Sequence, residues 1–476
     1  MSLPEAPASR FTEPIRVGLL TPYFSFFEQR FPADYRPSQE AYTRRLAEGL
    51  RAAGLEVTES GLVDGTDSAT AARDRFFAAR VQVVVAAATM AAPPTYGSQS
   101  LEGFEGPIVL WDDRRAERFE ADVDEVEATR ASSILGSIML ANVLGREGRR
   151  YVTVSGVAGE ADGVARAVVG AAAATAMRGA RVGLVGGIIP GYGDVVLDEV
   201  TAARLGVALV PVGEAAVARA RAAIGTDGEA GGLLAGMEIS DETRPLLARS
   251  LRAHRLLSAV AVDEALDAIA LNCHSDVLRY SDDPGVVGCL ASTLLWAAGL
   301  PVACTGDAAT LVALMLAARV AGSAQYCEGY AVEAATGELV VSSCGMADVS
   351  LRRDGEAARL CPNELYPGQR GLGIATRFTF EAGPATIVGF GPATATLPAR
   401  LVVSVGELTG RGFEHLNGPS GTITFDSPGA GTASRAWIDA GPAHHLALVR
   451  GDRLAELRAA AAFLDLELIE IGPSRA

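Results

Sequence analysis

Short apolar runs separated by helix-patterned segments recur through the first two thirds of this chain, and they restrict its fold more than any other feature. The run IRVGLL at 15–20 is followed by residues 38–53 with helical spacing, for which Ser38 is the expected N-cap and Gly54 the stop. A strand at 55–57, a helix at about 69–80, the run VQVVVA at 81–86 and PIVLW at 107–111 come next. Strands of continuous apolar character that alternate with amphipathic helices describe a parallel sheet covered on both faces. The pattern restarts at ARVGLVGG (180–187), with a helix from about 195 to 205 and further strands at 207–210, 268–273 and 301–304, then an apolar helix at 308–320.

After about residue 350 the texture changes to alternating strands punctuated by Gly and Pro, as in GIATRFTF (373–380), ATIVGF (385–390) and LVVSV (401–405). Helical spacing is nearly absent there until residue 453, and a single helix at 453–464 is expected to close an antiparallel, barrel-like domain. The expected fold class is α/β: two parallel-sheet (Rossmann-like) domains followed by an antiparallel β-rich, barrel-like C-terminal domain. The corresponding domains are 1–165, 166–348 and 349–476, which suits a chain of 476 residues.

Composition removes several functions. All 41 basic residues are arginine, so the amine nucleophile of Schiff-base and pyridoxal-phosphate enzymes is absent, as is the lysine of a P-loop. A formal net charge of −16 without a basic block argues against nucleic acid or anionic lipid as a partner. No apolar run reaches membrane-spanning length, and the chain start lacks signal-peptide character, so no membrane association and a cytoplasmic location are expected. The six cysteines (273, 289, 304, 327, 344 and 361) form no C-x-x-C pair, which reads as buried thiols rather than a zinc or dithiol redox site. The glycine cluster at 183–193 does not match G-x-G-x-x-G and reads as a tight turn.

Polar residues gather where strands of the second domain end: Asn272, His274 and Asp276; Thr305 and Asp307; Tyr326, Glu328 and Tyr330. The carboxyl ends of strands in an open α/β sheet are where ligands bind. Each residue also has a structural reading. Asp307 is placed to cap the following helix, His274 can be a hydrogen-bonded core residue, and Glu328 can be a solvated loop carboxylate. His444 and His445 are adjacent, and in a strand their side chains would point to opposite faces, so that one reaches the pocket and the other braces it.

Several of these segments, in this order, resemble the L-fucose/L-arabinose isomerase family: CTGD (304–307) before an apolar helix, EGY (328–330), SCG (343–345) and AGPAHH (440–445). The stretches GVVGCLAS (285–292) and GLPVAC (299–304) are similar to the segment that precedes the first metal ligand of that family. The likeness covers roughly residues 180–460.

It implies a three-domain homo-oligomer, a hexamer among the assemblies, that interconverts an aldose and a ketose of a sugar or modified sugar with a divalent metal, typically manganese. Proton movement between C1 and C2 needs a base and an acid beside the carbon pair and a cation for the sugar oxygens. By resemblance Glu328 is the second acidic ligand and catalytic base, and His445 is a ligand or proton donor. Thr305 stands where the family has its first acidic ligand and Ser343 where many relatives have histidine. Asp307 as a catalytic group and His274 are the candidates for the vacated roles, and His274, Thr305, Tyr330 and His444 are expected to meet substrate. The alternative implied by Thr305 and Ser343 is a non-catalytic carbohydrate-binding or regulatory relative, and different chemistry on the same scaffold is a third reading.

Overall fold

The computed structural model describes residues 14–116, 118–157, 159–224, 231–365, 372–425 and 430–472. The chain forms two compact units. One runs through Thr175 and includes Ala455–Phe463, and the other holds Ala176–Leu454 and the chain from Leu464 on.

In the first unit, strands β1 (Arg16–Pro22), β2 (Glu56–Val63), β3 (Val83–Ala86), β4 (Ile108–Arg114) and β5 (Tyr151–Val157) form a sheet of order β2-β1-β3-β4-β5. Every pairing is parallel. All four residues of β3 are buried, as a central strand covered on both faces requires. The helix expected at 38–53 spans Tyr35–Ala52, so Ser38 is not its cap. The Ser38 hydroxyl instead donates to the Tyr35 carbonyl at 2.6 Å, a local bond open to any serine one turn into a helix.

The helix expected to close the barrel, Leu454–Leu464, packs most of its length in this first unit. Glu456 is 2% exposed and binds Arg166 at 2.9 Å. Gly170 is needed there because a Cβ would stand 1.9 Å from the Glu456 carbonyl oxygen.

The second unit opens with a parallel sheet of order β10-β9-β6-β7, built from β6 (Arg181–Val185), β7 (Ala208–Val212), β9 (Ala268–Leu271) and β10 (Val302–Ala303). A small sheet joins β8 (Met237–Ile239) to β13 (Ala358–Pro362) and β14 (Ile374–Arg377). The rest is a closed antiparallel barrel of six strands. In barrel order these are β15 (Gly383–Gly391), β18 (His445–Arg450), β11 (Gln325–Val332), β12 (Leu339–Ser342), β17 (Ser420–Thr424) and β16 (Arg400–Leu408). Pairing of β15 with β16 completes the ring, and β19 (Glu467–Ile471) adds in parallel to β16. Closure removes the exposed edges that an open sheet of this length would carry.

Two of the barrel strands, β11 and β12, come from residues before 349, so the barrel starts earlier in the chain than its glycine-rich texture suggests. A helix at Ala430–Ala440 also lies in the segment read as strands and loops. Its Trp437 packs on the barrel core, where Phe380, Ile387, Val402 and Ile423 are buried. Between the parallel sheet and the barrel runs the helix Ala308–Ala321, which packs on β9 and β10 and on β15 and β18. That double burial is why it lacks a polar face. Among the described residues no helix is long and apolar enough to cross a membrane.

Candidate functional site

The site forms where this apolar helix begins. Asp307 caps it, its Oδ1 accepting from the Thr310 backbone N–H at 2.7 Å. The other carboxylate oxygen, Oδ2, lies 2.8 Å from Nδ1 of His445. One carboxylate therefore serves the helix cap and the imidazole at once. Asp307 is fully buried and His445 is 1% exposed.

Strand pairing brings in the third member. Glu328 on β11 is directly opposite His445 on β18, and opposite residues of an antiparallel pair project from the same face. Oε1 of Glu328 is 3.5 Å from Nε2 of His445, and the Glu328 side chain keeps 35% of its surface exposed. The intervening Cys327 points the other way, into the barrel core. Tyr326, on the Glu328 face, stacks on the His445 ring with centroids 4.4 Å apart.

Burial by itself would strip the proton from His445, but the hydrogen bonds to Asp307 and Glu328 and the attraction of both carboxylates outweigh it. The pKa is raised to about 9. His445 is thus an imidazolium at neutral pH, pinned on one nitrogen and facing a half-open carboxylate with the other.

The loop before the helix is tightly constrained. Thr305 takes a left-handed φ of 60°, uncommon for a β-branched residue. Its hydroxyl donates to the Cys304 carbonyl at 2.7 Å and sits 3.4 Å from the Tyr326 hydroxyl. Gly306, at φ 77°, admits no side chain, because a Cβ would stand 2.2 Å from the Gly187 carbonyl oxygen. Asn272, at the end of β9, donates through its side-chain amide to Gly186, at the end of β6, at 3.0 Å. The ends of β6, β9 and β10 therefore meet, as an open α/β sheet arranges its ligand crevice.

His274 stands at the β9 end. Its Nδ1 is 2.7 Å from a guanidinium nitrogen of Arg279, and arginine only donates, so Nδ1 is the acceptor. Tyr330 is 44% exposed on β11, two residues beyond Glu328. Burial and the nearby Glu328 raise its pKa, so it is a neutral phenol.

The two histidines do not diverge to opposite faces. His444 lies just outside β18, so strand alternation does not reach it, and the two rings are 3.8 Å apart at 40°. His444 binds Asp194 Oδ2 through Nδ1 at 2.6 Å and through its backbone N–H at 3.1 Å, and stacks on Tyr192. Burial opposes ionisation of Asp194, and the His444 bonds overcome it and lower its pKa. Asp194, Tyr192 and Arg279 escaped sequence reasoning. The one signal for the first two was the glycine-rich stretch at 183–193, whose turns carry them to His444.

A divalent cation would have to displace the Nε2 proton of His445 to bind beside Glu328. Coordination needs a neutral imidazole with a free lone pair; the Asp307 bond at Nδ1 is one that metal-bound histidines commonly keep, and Nε2 faces Glu328 at 3.5 Å. The Thr305 hydroxyl is turned to the Cys304 carbonyl. Among the described residues no group of three or more His, Cys, Asp and Glu side chains is placed to hold a metal ion.

No protein-family model matches the chain, and no curated protein matches it either.

Proposed function

We propose that this protein is a sugar isomerase-like enzyme that moves a proton between adjacent carbons of a sugar or modified sugar, converting aldose and ketose. The observation that supports this reading is the Asp307–His445–Glu328 array, a carboxylate base beside an imidazolium acid. Glu328, the member with open surface, takes the proton from the carbon next to the carbonyl. His445 donates from Nε2 to the carbonyl oxygen as the enediol forms, and the reverse transfers on the neighbouring carbon complete the reaction. Asp307 holds Nδ1–H and so fixes ring orientation and charge. The Tyr330 hydroxyl is the proposed partner of a substrate oxygen, and the Thr305 hydroxyl, whose proton is given to the Cys304 carbonyl, is left to accept from a sugar hydroxyl. Assembly into a homo-oligomer belongs to the same proposal and is read by light scattering on a sizing column.

The experiment is a panel of aldoses incubated with the protein in deuterated water and followed by NMR. Deuterium entering at C1 or C2, lost in Glu328→Gln, supports the proposal. Absence of exchange across the panel at high protein concentration overturns it.

Thr305 favours a second reading, a carbohydrate-binding relative without turnover, because its hydroxyl is held within its own loop rather than presented as a second acid. A binder is stabilised by its sugar, by roughly 2.7 kcal/mol at a hundredfold excess over Kd. A thermal shift without deuterium exchange selects this reading.

A further inference from the structure

A polar hollow of ≈ 360 Å³ opens beside the small sheet, and its wall carries Arg353, Arg359 and Arg377 together with Glu356, Glu414 and Phe413. None of the residues that line it belongs to the Asp307–His445–Glu328 array. Its volume is within the range of small-molecule sites, about 300–1,000 Å³.

Strand register places two of these cations against each other. Arg359 on β13 is directly opposite Arg377 on β14, and opposite residues of an antiparallel pair share a face with Cβ atoms about 5 Å apart. The other face of the same pair carries Leu360 and Ile374, which are buried in an apolar cluster, so both arginines are held on the face of the hollow. Like charges directly opposite destabilise a strand pair, and an anion between them removes that cost. The protein supplies none to Arg359, which forms no ion pair among the described residues. Glu238, its neighbour on β8, is exposed and forms no ion pair either.

The other two guanidinium groups are each oriented by one carboxylate. Arg377 donates through Nη2 to Glu364 at 2.9 Å and through Nε to the Asn417 carbonyl at 3.3 Å. Nη2 of Arg353 is 3.3 Å from Glu356, whose other oxygen accepts from the Thr379 backbone N–H at 3.1 Å. The backbone N–H of Arg353 donates to the Thr379 carbonyl at 2.8 Å, which ties it to the end of β14. A guanidinium has more N–H donors than these bonds use, so both side chains keep donors for a ligand. Glu414 on the rim is exposed and forms no ion pair. An ionised carboxylate only accepts, so beside a bound anion it needs a hydroxyl donor.

We propose that this hollow binds the phosphate ester of a small polyol. The phosphoryl oxygens accept from Arg359 and Arg377 and so relieve their cross-strand repulsion, Arg353 adds the third positive charge, and a ligand hydroxyl donates to Glu414. Forked guanidinium donors match phosphate oxygens in geometry and charge, which a lone cation on the surface of a chain of net charge −16 would not do.

The test is titration calorimetry of the intact protein with glucose 6-phosphate, inorganic phosphate and glucose at matched ionic strength. Glucose 6-phosphate is expected to bind more tightly than inorganic phosphate, and Arg359→Gln to weaken both by about tenfold or more, the loss of one charge-assisted hydrogen bond. Glu414→Ala is expected to narrow the difference between the ester and inorganic phosphate. Arg359 is exposed and faces a like charge, so without phosphate the melting temperature of Arg359→Gln is expected to equal or exceed that of the wild type. Equal affinity of wild type and Arg359→Gln for the ester, no saturable heat from either phosphate probe, or inorganic phosphate binding as tightly as the ester overturns the proposal. The readout is binding heat, so it stands whether or not sugar turnover is found.

Discussion

Oε1 of Glu328 on β11 stands 3.5 Å from Nε2 of His445, directly across the strand pair on β18, while Asp307 holds the opposite ring nitrogen at 2.8 Å. The contact to Asp307 is a full hydrogen bond and the contact to Glu328 is a long one, so the imidazolium is anchored on its buried side and available on its open side. In the proposed mechanism that asymmetry separates an orienting carboxylate from a working one.

Glu328→Gln removes the base without changing the size of the side chain. Turnover, read as deuterium exchange, is expected to fall by about 10²- to 10⁴-fold with the melting temperature little changed, because Glu328 is partly exposed. A variant that exchanges at the wild-type rate would remove Glu328 from the mechanism.

Asp307→Asn distinguishes capping from charge. Asparagine caps helices as well as aspartate, so the helix Ala308–Ala321 keeps its first-turn partner. The imidazolium loses its nearest negative charge, and the His445 pKa is expected to drop from about 9 toward the ordinary histidine range. NMR titration of the His445 ring checks the shift, and an unmoved pKa would show that Asp307 does not hold the proton.

The same pKa sets a pH dependence of stability. The folded value of about 9 is above the unfolded value of about 6.5, so the native state binds the extra proton between them. The stabilisation from His445 is therefore complete below about pH 6.5 and lost as pH rises through about 9. Urea unfolding of wild type and His445→Gln should differ most at pH 6 and converge by pH 10. Catalysis that uses the Nε2 proton should decline over the same alkaline limb.

Thr305→Glu restores an acid where the resemblance places the first metal ligand. Manganese titration by calorimetry is expected to show no stoichiometric site in the wild type and a measurable one in the variant. Equal, tight binding by both proteins would overturn the account of His445 as a proton-bearing group.

Gly306→Ala probes the loop beneath the site. The added methyl meets the Gly187 carbonyl at 2.2 Å in a left-handed backbone, and destabilisation on the order of 1–3 kcal/mol is expected from unfolding curves. An unchanged midpoint would mean the loop moves freely away from Gly187.

Periodicity alone indicated four of the five strands of the first parallel sheet, the four of the second, the barrel-like carboxyl region and an apolar helix at 308–320, because continuous apolar runs and alternation are local consequences of burial on two faces or one. It also drew attention to Asp307, Glu328 and His445 as polar residues at element ends. What it could not decide was their partnership. The strand register that sets Glu328 opposite His445, the packing that turns a helix cap toward an imidazole 138 positions away, and the assignment of the helix Leu454–Leu464 to the first unit all depend on closure of the barrel and on long-range fit. Charge state follows from that fit too: a histidine becomes a lasting imidazolium only when two carboxylates from distant strands share its desolvated surroundings, and no local pattern encodes such an encounter.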